Sequence, residues 1–254
     1  GPLDPVDWIT DDKCSSITFV GGDTGDDSIM GVGEAWTYEC AMPITADTTN
    51  EATFTGTPFL GSGPGKQTAP PLEVTATAEV RVIVPDITIT KTPSAPGGVF
   101  QQGVLLVPVG SEVTYTYDVT SGVATTPMDV ADITDDTCSP LEYQSGDTND
   151  NGLVDPGETW VYTCKNTFAG VTTVTNTAVV TAVEPILGAV VTATDQATVT
   201  SYQGSIAIKK SPSAELVEKG TPVTYTYTVL NNGTVDLTDI KATDDKCAPV
   251  VYKS

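Results

Sequence analysis

Between residues 86 and 204, apolar and polar side chains alternate in short runs separated by clusters of Gly, Pro, Asn and Asp. Neighbouring side chains of a strand point to opposite faces, so this alternation marks strands with one buried face. The pattern predicts strands near 87–92, 112–120, 128–136, 140–144, 158–164, 172–182 and 190–202.

The same patterns recur elsewhere. Thr134-Asp135-Asp136-Thr137-Cys138 returns as Thr10-Asp11-Asp12-Lys13-Cys14 and as Thr243-Asp244-Asp245-Lys246-Cys247. The stretch 146–164 aligns without gaps on 22–40, and Ile87 to Ala95 returns as Ile206 to Ala214. Thr114-Tyr115-Thr116-Tyr117 returns as Thr224-Tyr225-Thr226-Tyr227. These repeats predict one whole unit at 86–204, a partial one at 1–85 holding its C-terminal part, and a partial one at 205–254 holding its N-terminal part. Pro2-Leu3-Asp4 matches Pro127-Met128-Asp129, so the first copy is expected to start at its third strand and the last to stop just after its own. The chain then reads as a piece of a longer array. Seven strands in roughly 110 residues fit an immunoglobulin-like sandwich better than a closed barrel. The expected fold class is all-β: tandem sandwiches of this kind.

Composition supports this and narrows the chemistry. Threonine, at 43 residues, suits pleated sheet. There are 33 acidic and 11 basic side chains, giving a net charge of −22, and no histidine. Such a surface repels phosphate, so nucleic acid is not an expected partner. Histidine-dependent nucleophiles and zinc–histidine sites are excluded. No apolar run of about 18 residues or more is present, so membrane insertion of this stretch is not expected.

Residues 147–158 read Asp-Thr-Asn-Asp-Asn-Gly-Leu-Val-Asp-Pro-Gly-Glu. Oxygen donors fall at Asp147, Asn149, Asn151, Asp155 and Glu158, with the Leu153 carbonyl between them and Gly152 at the sharp turn. That is the register of an EF-hand-type Ca²⁺ loop. The flanking Trp160-Val161-Tyr162-Thr163-Cys164 alternates like a strand, so the loop is expected to lie between strands rather than helices. The competing reading is a solvated turn. The first copy keeps Asp23, Asp27, Glu34 and the Ile29 carbonyl but has Gly25, Ser28 and Gly31 at other key positions. A weaker site is expected there, with Ser28 forced into a left-handed conformation at roughly 1–2 kcal/mol. Cys14 and Cys40, and Cys138 and Cys164, have the same spacing, which predicts two local disulfides and an oxidising environment. Cys247 is expected to be a free thiol.

Phase singles out three polar residues. Lys91 shares a face with Ile87 and Ile89, Asn176 with Val174, Ala178 and Val180, and Asp135 with Ile133. The partial copies keep what they contain: Lys210 and Asp244 in the last, Asn50 and Asp11 in the first. A buried ammonium, amide and carboxyl must satisfy one another. A desolvated lysine can also attack the asparagine carbonyl, assisted by a carboxyl that burial keeps protonated, giving an isopeptide bond. Asp135 is the preferred acid on phase, with Asp136, Asp132 and Asp118 as substitutes. The alternative is that these side chains sit at strand ends and reach solvent.

Ile87-Thr88-Ile89-Thr90-Lys91, Val113-Thr114-Tyr115-Thr116-Tyr117, Thr134-Asp135-Asp136, Asp155-Pro156-Gly157-Glu158-Thr159-Trp160 and Thr175-Asn176-Thr177-Ala178 together resemble tandem immunoglobulin-like "conserved repeat" modules. These belong to large prokaryotic surface proteins, the domain-of-unknown-function eleven type. The resemblance implies a secreted, cell-anchored stalk, adhesin or fibre, and similar domains in pilins and adhesins form intramolecular isopeptide bonds. The leading expectation is a non-enzymatic structural spacer stabilised by Ca²⁺, disulfides and a Lys91–Asn176 bond, its partners being neighbouring repeats. The alternatives are a ligand-binding adhesin module and a subunit polymerising head-to-tail through Lys210, Asn50, Asp244 and Asp11. Trp36 and Trp160 read as structural, and Trp8 as exposed.

Overall fold

A computed structural model describes residues 8–60 and 67–253, and among them every regular element is a strand. The aligned segment Pro2-Leu3-Asp4 lies outside the described residues. The chain divides into two compact units, Gly1–Ile83 and Val84–Ser254.

The first unit contains β1 (Ile9–Asp11), β2 (Thr18–Gly21), β3 (Thr37–Glu39), β4 (Thr48–Gly56), β5 (Phe59–Leu60), β6 (Gln67–Thr68) and β7 (Leu72–Val80). They form a three-stranded sheet in the order β1-β4-β7 and the pairs β2-β3 and β5-β6. Trp8, expected to be exposed, is half-buried and stacks on Trp36 with ring centres 5.2 Å apart. The flat face of one indole covers the other, a contact that the repeat alignment could not reveal.

The second unit begins with β8 (Thr88–Ser94), β9 (Val99–Gln101), β10 (Val104–Pro108), β11 (Glu112–Thr120) and β12 (Asp129–Asp135). It continues with β13 (Glu142–Ser145), β14 (Thr159–Thr167), β15 (Thr173–Val183), β16 (Val190–Tyr202), β17 (Ile206–Pro212) and β18 (Tyr225–Asn231). A five-stranded sheet, β12-β15-β16-β10-β9, and a four-stranded sheet, β13-β14-β11-β8, enclose one core, while β17 and β18 form a separate hairpin. Both sheets contribute alternate residues: Val113, Tyr115, Tyr117 and Val119 from β11, and Ala178, Val180 and Ala182 from β15, are all fully buried. Each large apolar side chain buried this way contributes roughly 1.5–3 kcal/mol.

The hairpin β9–β10 was not predicted. Its turn, Gln102-Gly103, has φ of 51° and 82°, the left-handed pair required by a tight two-residue hairpin. Val104-Leu105-Leu106-Val107 hides its period because Val104 and Leu106 on its outer face are apolar too. Strand β10 then runs parallel to β16, carrying the chain from one sheet to the other. In β12 a register shift between Val130 and Asp132 leaves Val130, Ile133 and Asp135 pointing inwards together. The third strand expected in the last copy is absent: no strand occurs in 232–253. A strand needs a ladder partner, and no counterpart of β15 follows among the described residues.

Candidate functional site

Strand β8 alternates strictly, placing Lys91 inwards beside Ile89. Its side chain is 0% exposed, as is that of Asp135, and Lys91 Nζ donates to Asp135 Oδ2 at 2.6 Å. The same oxygen accepts from the Tyr117 hydroxyl at 2.7 Å, while Oδ1 accepts from the amides of Thr137 and Cys138 at 3.0 and 2.8 Å. Asp135 therefore also caps the turn leading into the disulfide. Lys91 Nζ lies 4.8 Å from the Tyr115 ring centre and 5.5 Å from that of Tyr117. The Lys91 amide donates to Asp195 on β16 at 2.7 Å, tying β8 to the opposite sheet.

Asn176 faces the same interior. Asp135 is opposite Ala178 on β15, and Asn176 is the next residue of that face. It is 0% exposed, and neither its Oδ1 nor its Nδ2 has a hydrogen-bond partner. The Tyr115 hydroxyl beside it is likewise without an aligned partner; burial pushes that phenol up and the Asn176 amide opposes the shift. A buried amide left unpaired costs roughly 1–3 kcal/mol, so it needs a reason to persist.

Burial is the largest influence on both ionisable partners. It lowers the Lys91 pKa below that of an ordinary lysine, against the pull of Asp135. Burial alone would keep Asp135 protonated, as the sequence suggested. In the structure the Lys91 and Tyr117 hydrogen bonds outweigh it and hold the carboxyl below its usual range. The two groups share one short hydrogen bond, and a single proton hop along its 2.6 Å converts an ammonium–carboxylate pair into a neutral amine beside a neutral acid. Of the other acids considered, Asp132 and Asp136 are exposed and Asp118 lies on the outer face of β11.

The partial copies hold fragments of this cluster. In the last, Lys210 pairs with Asp244, whose Oδ2 also accepts from the Tyr227 hydroxyl at 2.7 Å, and Lys210 lies 4.5 Å from the Tyr225 ring. Hydrogen bonding to Asp244 raises Lys210, the opposite of Lys91. In the first, Asn50 Oδ1 is buried without a partner, and its side chain helps hold Asp11 low, after the amides of Cys14 and Lys13. The tyrosine pair was not singled out as part of the site, although Thr-Tyr-Thr-Tyr recurs wherever the lysine does.

The acidic loop folds on itself. Asp147 accepts from the amides of Gly152 at 2.8 Å and Asn151 at 3.1 Å, and Asp155 Oδ2 accepts from the Asn149 and Asn151 side chains at 2.7 and 2.8 Å. Glu158 accepts from the Thr148 amide and hydroxyl, the Asp155 amide and Trp160 Nε1. The Thr148 contacts chiefly hold its carboxyl down to about 2. Asp150 and Gly152 have φ of 59° and 76°, and their counterparts Asp26 and Ser28 have 50° and 58°. Asp23 accepts from the Ser28 amide at 2.8 Å, Ile29 donates its amide to Asp27, and Glu34 accepts from Thr24, Gly31 and Trp36. The two loops share one backbone. Among the described residues no three acidic or thiol side chains converge as a ready metal cluster. The 147–158 donor set nevertheless suits a hard divalent cation, provided Asn149 and Asn151 turn their oxygens inwards.

Cys138–Cys164 and Cys14–Cys40 are disulfide-bonded, with Cα atoms 6.0 and 6.3 Å apart, and Cys247 is free. Such bonds point to an oxidising compartment. No family model, curated protein or solved structure matches the chain.

Proposed function

We propose that the chain is a structural segment of an extracellular stalk or fibre, built from immunoglobulin-like sandwiches and locked by a Lys91–Asn176 isopeptide bond. One observation carries this reading: a fully buried Asn176 amide without a partner, sharing an interior with a buried Lys91–Asp135 pair. Lys91 passes a proton to Asp135 and becomes a nucleophilic amine. Its nitrogen adds to Asn176 Cγ while the Asp135 acid polarises Oδ1. The Cγ–Nδ2 bond then breaks. Asp135 takes a proton from the attacking nitrogen and returns it to the leaving one, so ammonia departs and an amide remains. The Tyr117 hydroxyl holds Asp135 in place.

Calcium has a supporting role. Asp147, Asn149, Asn151, Asp155, Glu158 and the Leu153 carbonyl would hold Ca²⁺, with the weaker set at Asp23, Asp27, Ile29 and Glu34. The ion would neutralise part of the charge of −22 and stiffen the link between β13 and β14. The decisive test is intact mass under reducing, denaturing conditions. The wild-type chain should lack one ammonia, and Lys91→Ala should restore the full mass. A wild-type chain at full mass refutes the crosslink.

A further inference from the structure

Strand β11 presents two tyrosines to the core, and they are not equivalent. Tyr117 commits its hydroxyl to Asp135 at 2.7 Å. Tyr115, two residues earlier on the same face, is fully buried, and its hydroxyl has no aligned partner. A buried tyrosine ordinarily has its hydroxyl bonded, so an idle one needs a reason. Its position pairs it with the Asn176 amide. Glu112 lies opposite Thr167 in the β11–β14 ladder and β15 starts at Thr173, so β11 and β15 begin at the same end of the sandwich. From the level of Tyr117 and Asp135, Tyr115 is one inward step along β11 towards that end. Asn176 is one inward step the same way along β15 from Ala178, the residue opposite Asp135. Lys91 Nζ lies 4.8 Å from the Tyr115 ring centre, so amine, phenol and amide share one enclosed space. Burial raises the Tyr115 pKa and keeps the phenol neutral, while an Asn176 N–H beside its oxygen opposes the shift.

We propose that Tyr115 is a positioning residue for the crosslink: its hydroxyl oxygen receives an N–H of Asn176 Nδ2 and steadies that nitrogen as it leaves. Held this way, the amide turns Oδ1 away from the phenol and towards Asp135, the acid that polarises it. The planar amide nitrogen is a donor only, and a hydroxyl oxygen can accept from it. As Lys91 adds to Cγ, Nδ2 loses its amide conjugation, takes the proton that Asp135 returns and approaches an ammonium. A hydrogen bond from a charged donor is roughly twice as strong as a neutral one. The Tyr115 contact, poorly aligned in the resting fold, therefore strengthens towards the transition state, which is the condition for speeding a step. No bond to Tyr115 is made or broken, and the departing ammonia carries the proton supplied by Asp135.

This inference rests on the crosslinking chemistry proposed above. The test makes the full chain by cell-free synthesis with Ca²⁺ under oxidising conditions. Samples are quenched at intervals in reducing, denaturing acid and read by intact mass. In Tyr115→Phe the loss of ammonia should be about 10- to 100-fold slower than in the wild-type chain, the rate equivalent of one buried hydrogen bond. In a Lys91→Ala background, which cannot crosslink, Tyr115→Phe should leave Tm unchanged or raise it, because the hydroxyl makes no aligned bond in the resting fold. A Tyr115→Phe chain that loses its ammonia as early as the wild-type chain overturns this inference alone. A wild-type chain that stays at full mass overturns the crosslink and this inference together. A lower Tm for Tyr115→Phe in the Lys91→Ala background makes the hydroxyl structural and overturns its part in the reaction.

Discussion

Replacing Asn176 with leucine has opposite consequences for an ordinary buried amide and for a crosslinked one. Leucine has nearly the same shape and no polar atoms. Asn176 is 0% exposed, with both side-chain polar atoms unpartnered. As an ordinary amide it carries an uncompensated desolvation cost, and the variant should gain roughly 1–3 kcal/mol. As one end of a covalent bond it closes a loop. Residues 91 and 176 lie 85 positions apart, and Cys138–Cys164 already bypasses 26 of them. The effective loop of roughly 60 residues corresponds to about 4 kcal/mol of lost unfolded-state freedom on the chain-entropy relation. For a unit of this size, losing it lowers Tm by about 8–16 °C. Differential scanning calorimetry at neutral pH, paired with intact mass, reads both the sign and the cause. We expect Asn176→Leu to be less stable, and its mass to show no loss of ammonia. A variant more stable than the wild-type protein would refute the reasoning.

Three further outcomes follow from the loops. Saturating Ca²⁺ at about 100 times its Kd should stabilise the protein by about 2.7 kcal/mol relative to EDTA, and Asp147→Ala should remove most of that difference; an EDTA-insensitive Tm contradicts a structural ion. Glu158 binds its proton more weakly in the folded chain, near 2, than at its ordinary value of 4.5. Its contribution is therefore present above about 4.5 and lost as pH falls towards about 2. Urea midpoints between pH 2 and 7 in EDTA should show this acid limb flattened in Glu158→Gln. Ser28 holds φ of 58° where the second loop has Gly152 at 76°. Ser28→Gly should gain about 1 kcal/mol and Gly152→Ala lose a similar amount, read by urea unfolding; no gain at Ser28 would mean its side chain is not strained.

What the sequence disclosed depended on whether the physical signal was local. The inward phase of Lys91 could be read because β8 alternates without interruption, and repetition tied Asp135 to the cysteine that follows it. The two disulfides could be read because the same spacing occurred twice. The hairpin β9–β10 could not, since Val104 to Val107 is apolar on both faces and the positive φ of Gln102 leaves no trace in composition. The balance of influences on Asp135 is less legible for a different reason. Burial is legible from phase, but the Lys91 ammonium and the Tyr117 hydroxyl that oppose it arrive from other strands. The same limit governs the unpartnered state of Asn176, which is a statement about every neighbour at once.

The three copies supply an internal comparison that a single domain would lack. The same Lys–Asp–Tyr–Tyr chemistry occurs once inside a closed sandwich and once on an open hairpin. In the closed form burial pulls the lysine pKa down, and in the open form the aspartate pushes it up. Sequence alone assigns both lysines the same role, because their local motifs match. What separates them is the second sheet, whose β15 brings Asn176 and excludes water. The proposed crosslink therefore depends on the assembled sandwich rather than on the local motif, since only there does burial pull the lysine pKa down.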